Sequence, residues 1–321
     1  DVHLLGTWLD DHLIDAIDAG EPHPRTNAII SSEVTTYRSD DLEQALEGAN
    51  VVILAVASVG VPKVTEMALG GMSKADAVWL TSKGFNPDPD GKIELLPAAL
   101  RRIAKDNGYT LPPIVAVAGP VKANECATGE PTATIFGCSD LSGAQKYARE
   151  ATTSRYRIEA SDDEVGVEIC APMKNVYAIS LGIADGLEEA TGFPHHNLKA
   201  ATFAQAVKEM SVLGQALGAK PETAFGLAGV GDLEVTGLSG RNKVYGVRLG
   251  RGEAPAEALA EMERLEQTVE GVPAAGYAKD LVSQLGVTEE QVPLFFAVSR
   301  ILDGGIDDVK EEVAGAVLPR H

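Results

Sequence analysis

A chain of 321 residues is long enough for two domains of ordinary size, each burying its own core. Hydrophobic residues make up 45% and charged residues 23%, and the apolar run that matters most, Val51 to Ala57, is far too short to span a bilayer, so a globular protein without a membrane anchor is expected. The formal net charge of −20 repels nucleic acid and anionic lipid and sets both aside as partners, and it admits a phosphorylated ligand only where Lys and Arg side chains collect in one cleft.

In chain order, the first half alternates short apolar runs with amphipathic stretches. Strands are predicted at 2–5, 34–37, 50–57, 77–81, 114–118, 132–136 and 156–159, and helices at 10–18, 41–46, 59–69 and 93–105. Such alternation reads as a parallel sheet wrapped by helices. Residues 51–57 are apolar on both faces, as a central strand under two helical layers must be. Past residue 162 the β-branched alternation stops, and apolar residues recur at helical spacing over 175–187, 198–217, 254–265, 273–285 and 293–302. The expected architecture is an α/β, Rossmann-like parallel-sheet domain over residues 1–160 followed by an all-α domain over 161–321. The boundary falls at Ser161-Asp162-Asp163-Glu164, an N-cap followed by acidic first-turn residues.

A Rossmann-like sheet opens with a strand, a GxGxxG turn and a helix N-terminus that holds a pyrophosphate. Gly70, Gly71 and Gly84 do not have that spacing, and Gly70-Gly71 reads as a loop between a helix and a strand. The opening residues Asp1 to Thr7 read as the second strand of such a fold. The expectation is that one βα unit, about 20–30 residues, precedes Asp1 and is absent from this chain. Cys126, Cys138 and Cys170 have no ligand-like spacing, which argues against disulfides and structural zinc and suits a reducing cytoplasm. His195-His196 lacks a third ligand at suitable spacing and reads as a loop pair, so no metal is expected. Tyr177, Phe203 and Phe225 read as core.

Several strings carry chemistry. A lysine whose pKa is lowered by burial and a neighbouring cation can act as a proton donor. Lys174, at the start of an apolar helix, is the candidate. Asp232, in a turn with Gly226, Gly229 and Gly231, could orient its ammonium, and Lys83 follows a strand at the sheet edge where ligands bind. Arg241 and Asn242 offer a planar fork plus an amide suited to phosphate oxygens. Lys83, Lys122, Lys174, Lys199 and Arg241 are expected to form a basic island on an acidic protein.

These strings occur as Ser82-Lys83-Gly84, Gly119-Pro120-Val121-Lys122-Ala123, Lys174-Asn175, Gly226-Leu-Ala-Gly-Val-Gly-Asp232-Leu, Arg241-Asn242 and Glu270-Gly-Val272. Their order resembles the NAD-dependent glycerol-3-phosphate dehydrogenase family over nearly the whole chain. The resemblance implies a 6-phosphogluconate-dehydrogenase-like helical domain, NAD or NADP as cofactor, a small phosphorylated polyol as substrate, and a cytoplasmic homodimer. It implies catalytic roles for Lys174, Asp232 and Lys83. Substrate contacts fall on Lys83, Gly119, Asn175, Thr236, Arg241 and Asn242, and cofactor contacts on Thr7, Trp8, Lys83, Ala123, Arg241 and Glu270. Three departures bear on ligand choice. Val121 and Lys122 stand where the family has Ser and Phe, which would loosen substrate length discrimination. Thr7 stands where bacterial relatives have Arg, which favours NAD, with Trp8 near the adenine. Two alternatives stay open: a dehydrogenase of another polyol or ketose phosphate, and a non-catalytic relative that has lost dinucleotide binding.

Overall fold

The computed structural model describes residues 1–24 and 26–319. Strand β1 (Val2–Leu5), helix α1 (Asp11–Asp18) and strand β2 (Val34–Tyr37) form a parallel two-stranded unit. Helix α2 (Leu42–Leu46) leads to β3 (Val51–Leu54), α3 (Val61–Met72) and β4 (Ala77–Leu80). Then come β5 (Phe85–Pro87), β6 (Ile93–Leu95), α4 (Leu96–Asp106), β7 (Ile114–Ala118), α5 (Ala123–Ala127), β8 (Thr132–Gly137), α6 (Leu141–Ala151) and β9 (Tyr156–Ser161). The main sheet has the order β3-β4-β7-β8-β9. Strands β3, β4 and β7 run parallel, as the alternating pattern predicts.

Two details differ from the sequence reading. The connection from β7 to β8 holds only the five-residue α5 instead of a full crossover helix, so β8 returns antiparallel to β7 and β9 then runs parallel to β8. That reversal lays Ile135 beside Ala118, next to the turn at Gly119. Residues 93–95, expected to be helical, instead pair with β5 as a hairpin. Asp88 stabilises the turn by accepting from the backbone N–H groups of Asp90 and Lys92, and Gly91 supplies a φ of +83°. The hairpin then meets the second half of the chain, where Gln284 exchanges hydrogen bonds with both backbone groups of Ile93.

The second half is helical throughout: α7 (Glu164–Thr191), α8 (His196–Ala216), α9 (Asp232–Ser239), α10 (Arg241–Gly250), α11 (Pro255–Arg264), α12 (Gly271–Leu285), α13 (Pro293–Asp303) and α14 (Val309–Val317). Helix α7 begins well before the expected residue 175. Asp163 caps it by accepting from Gly166 N–H at 2.9 Å, and it continues through Pro172. Nearly every residue from Val167 to Ala184 is buried, so α7 is hydrophobic on all sides and is the axis of the protein. One apolar cluster joins it to Ala116, Ala118 and Ile135 of the sheet and to α8, α12 and α13. Glu209 of α8, fully buried, accepts from the first backbone N–H groups of α13 at 2.7 and 2.8 Å and from the Tyr177 hydroxyl at 3.0 Å. Burial pushes its carboxyl up to about 7, against the pull of those donors. Tyr177 is core as expected, whereas Phe225 is 59% exposed beside the turn at Gly226. Among the described residues no helix is long and apolar enough to cross a membrane.

Helices α7 and α10 approach until their backbones touch. A Cβ on Gly182 would stand 2.1 Å from the Lys243 carbonyl oxygen, and one on Gly246 would stand 2.0 Å from that of Ile179. Gly186 and Gly250 repeat the arrangement one turn further on. Backbone atoms cannot yield as a flexible side chain can, so an added methyl must push the helices apart. Gly246→Ala is therefore expected to destabilise the fold by about 2–3 kcal/mol or more. Gly276→Ala, in an exposed turn of α12 with open space around it, should instead stabilise by about 0.5–1 kcal/mol. Urea denaturation of both variants checks the opposite signs.

Candidate active site

The candidate residues converge where the sheet edge meets the helical half. Lys83 lies just beyond the carboxyl end of β4. That segment is tied to the end of β3, because the Ser82 hydroxyl donates to Val56 O at 2.6 Å and the Thr81 hydroxyl to Leu54 O at 3.1 Å. Gly84 is needed there, since a Cβ would come within 2.4 Å of the Ser58 side chain. Beyond β7, Gly119 takes a φ of +125°, closed to L side chains, against Thr134 of β8.

The helical half supplies the opposite wall. Leu227–Gly231 form a wide π-type turn whose backbone lies on Ala224; a Cβ on Gly229 would be 1.9 Å from the Ala224 carbonyl oxygen. Gly231 packs against Pro120, which carries Asp232 to the sheet edge. Asp232 is 1% exposed, and three groups share its carboxylate. Oδ1 accepts from Lys174 Nζ, while Oδ2 lies 3.4 Å from Lys83 Nζ and 3.4 Å from Gly119 N–H. Lys174, 6% exposed, is held by burial and by the neighbouring Lys83 at a pKa of about 8, although Asp232 pulls it upward.

Directly after Lys174 on α7, an amide chain that begins at Asn175 fixes the next group. Asn242 Nδ2 donates to Asn175 Oδ1 at 3.0 Å, Gly271 N–H donates to Asn242 Oδ1 at 2.8 Å, and Asn175 Nδ2 donates to Glu270 at 3.3 Å. Arg241 is half-exposed and 3.7 Å from Glu270, a loose pairing that leaves its guanidinium available. Thr236 spends its hydroxyl on the Asp232 carbonyl at 2.6 Å, within α9.

Other expected site residues stand apart from this cluster. Lys199, expected in the basic island, pairs with Asp185 at 2.7 Å, and Lys243 shares that carboxylate at 2.9 Å, so its charge is spent within the helical half. Thr7 and Trp8 follow β1; Trp8 is half-exposed, and Thr7 donates to Asp10 Oδ2 from both its backbone and its hydroxyl. Ala123 opens α5 with its side chain in the open. Glu168, which the sequence did not single out, also lies on α7. Its carboxyl is buried, Oε2 has no hydrogen-bond partner among the described residues, and burial pushes its pKa well up while the Lys83 charge opposes this. Nothing but its place on an all-apolar helix signalled that. Among the described residues no group of three or more His, Cys, Asp or Glu could hold a metal ion.

Open parallel sheets bind dinucleotides at the carboxyl ends of their strands, and the buried Lys174 amine meets that edge of the sheet through the carboxylate it shares with Lys83. Residues 7–144 match the model described as NAD-dependent glycerol-3-phosphate dehydrogenase N-terminus, and residues 163–313 match that described as the C-terminus. An NADP(+)-dependent glycerol-3-phosphate dehydrogenase of Archaeoglobus fulgidus is 33% identical over 98% of this chain and 92% of its own length. A glycerol-3-phosphate dehydrogenase [NAD(P)+] of Geobacter metallireducens is 36% identical over 78% of this chain and 71% of its own. The crystal structure of the glycerol-3-phosphate dehydrogenase of Coxiella burnetii, 27% identical, superposes with a TM-score of 0.81 over 100% of this chain and 92% of that one. The chain belongs to the NAD-dependent glycerol-3-phosphate dehydrogenase family.

The shared carboxylate makes a stability prediction. Because the folded-state pKa of Lys174 lies below the ordinary lysine range, the group costs stability as pH falls from that range to about 8, and the cost is constant below. Asp232→Asn removes the anion that pulls Lys174 upward, so its pKa drops further and the cost keeps growing as pH falls below 8. The variant should be about 3–5 kcal/mol less stable than the parent at pH 6, with a smaller gap at pH 9. Urea titrations at both pH values check this.

Proposed function

We propose that the chain interconverts sn-glycerol 3-phosphate and dihydroxyacetone phosphate, with Lys174 exchanging the proton at the C2 oxygen. The observation that carries the reading is one buried lysine at a pKa of about 8, bonded to a buried carboxylate that a second lysine shares. At neutral pH such a group is charged yet close to titration, the condition for giving a proton to a ketone and taking it back from an alcohol. Asp232 aims the ammonium, and the Lys83 charge keeps it acidic and faces the developing oxyanion. Arg241 and Asn242 take the phosphate, Asn242 oriented by Asn175 and Gly271, with Thr236 on the substrate wall. The 1–160 and 161–321 division assigns the cofactor to the sheet half and proton transfer to the helical half.

The residues present suit a dinucleotide at two points. At one end the face of Trp8 and the polar Thr7 suit an adenine and its ribose, and at the other Lys83 and the Gly119 N–H stand on the Asp232 carboxylate that holds Lys174. A bound nicotinamide would supply or accept the hydride at carbon. Either NAD or NADP agrees with the names of the relatives. The free thiols Cys126, Cys138 and Cys170 suit a reducing compartment.

Lys174→Ala should lower turnover of dihydroxyacetone phosphate by at least ~10²-fold while leaving dinucleotide affinity within about threefold. In the parent, kcat/KM for ketone reduction should fall as pH rises through about 8, since the ammonium form is required, and that for alcohol oxidation should fall as pH drops below it. Steady-state kinetics in both directions with titration of the nicotinamide test this. A variant retaining more than about a tenth of the activity would remove Lys174 from the mechanism.

A further inference from the structure

We propose that Lys122 is a second phosphate-directed cation and sets how the substrate's anionic end is held, leaving the Ser239 hydroxyl for a phosphate oxygen when substrate binds. The inference rests on the reading above and names a determinant of its substrate range. Lys122 lies three residues beyond Gly119, whose N–H faces Asp232, so it shares the loop that borders the proton-transfer cluster. Its ammonium crosses the cleft and donates to the hydroxyl of Ser239, the last residue of α9. Gly240 then turns the chain in extended conformation, and Arg241 opens α10. Lys122 therefore reaches across to the segment on which Arg241 stands two residues beyond Ser239. That segment lies about 10 Å along α9 from Asp232, a span the long Lys and Arg side chains bridge.

Charge points the same way. At the inner end Lys83 and Lys174 share the single carboxylate of Asp232. At the outer end Arg241 has, among the described residues, only the loose contact to Glu270, and Lys122 is held by a neutral hydroxyl although the chain carries 47 acidic residues. These pairings set Lys83, Lys174, Lys122 and Arg241 against the carboxylates of Asp232 and Glu270, a balance that suits a dianionic ligand on a strongly acidic protein. Exchanging a neutral acceptor for a phosphate oxygen replaces an ordinary hydrogen bond with a charge-assisted one. Lysine is a point charge on a flexible stem, so it can follow a phosphate placed at several distances where a planar guanidinium cannot.

The test compares parent, Lys122→Met and Ser239→Ala in the reduction of dihydroxyacetone phosphate and of unphosphorylated dihydroxyacetone, with calorimetric titration by inorganic phosphate. Lys122→Met should raise KM for the phosphorylated ketone about tenfold or more with kcat within about twofold, leave kcat/KM for dihydroxyacetone unchanged, and weaken phosphate binding at least about fivefold. Ser239→Ala, which frees the ammonium, should leave that KM unchanged or lower it. If Lys122→Met binds phosphate as the parent does, or its KM stays within about twofold, the proposal is overturned. Absence of turnover of dihydroxyacetone phosphate by the parent would instead overturn the functional reading, and the phosphate titration would still decide the role of Lys122.

Discussion

One buried carboxylate between two ammonium groups governs this structure. Asp232 is nearly inaccessible, and removing its charge would leave two ammonium groups facing each other in a region of low polarisability. A buried ion pair is seldom a source of net stability. Here the surplus of positive charge has a chemical consequence, because Lys83 and burial together bring Lys174 into the range where it can exchange protons near neutrality. The cluster is also a junction: Lys83 belongs to the sheet half, Lys174 and Asp232 to the helical half, and the Gly119 N–H closes the contact from a second strand.

The fold is arranged to hold that junction still. Helix α7 brings Lys174 and Asn175 to the cleft on a rod buried on all sides, and α10 lies against it with no side chain between the two backbones at Gly182 and Gly246. That contact fixes the first turn of α10, and with it Asn242, relative to Asn175. On the other side the π-type turn at Leu227–Gly231 and the contact of Gly231 with Pro120 set the depth of Asp232. Gly182 and Gly246 are required by close approach to backbone and not by flexibility.

Much of this was legible in the sequence. The alternation of short apolar runs and amphipathic stretches foretold the parallel strands, and the helical periodicity past residue 162 foretold most of the second half, because both follow from which faces must be buried. Lys174, Asp232, Lys83 and Asn242 stood out through the ordered set of strings that resembles the family, since each taken singly reads as an ordinary surface or turn residue. What stayed hidden depends on tertiary geometry. The antiparallel return of β8 follows from the shortness of the β7 connection, and the β6 strand from a turn at Asp88 and Gly91 that overrides local helical spacing. The pairing of Lys199 with Asp185, the buried cap that Glu209 provides for α13, and the reach of Lys122 to Ser239 join residues far apart in the chain with no periodic signal between them.

The central claim is that burial and Lys83 hold Lys174 at a pKa of about 8. It is tested most directly by nuclear magnetic resonance titration of protein carrying ¹³C at the lysine Cε positions. One resonance should titrate near pH 8, vanish in Lys174→Arg, and move to higher pH in Lys83→Met, where the cation that depresses it is gone. A spectrum in which every lysine titrates in the ordinary range, with none near 8, would contradict the account.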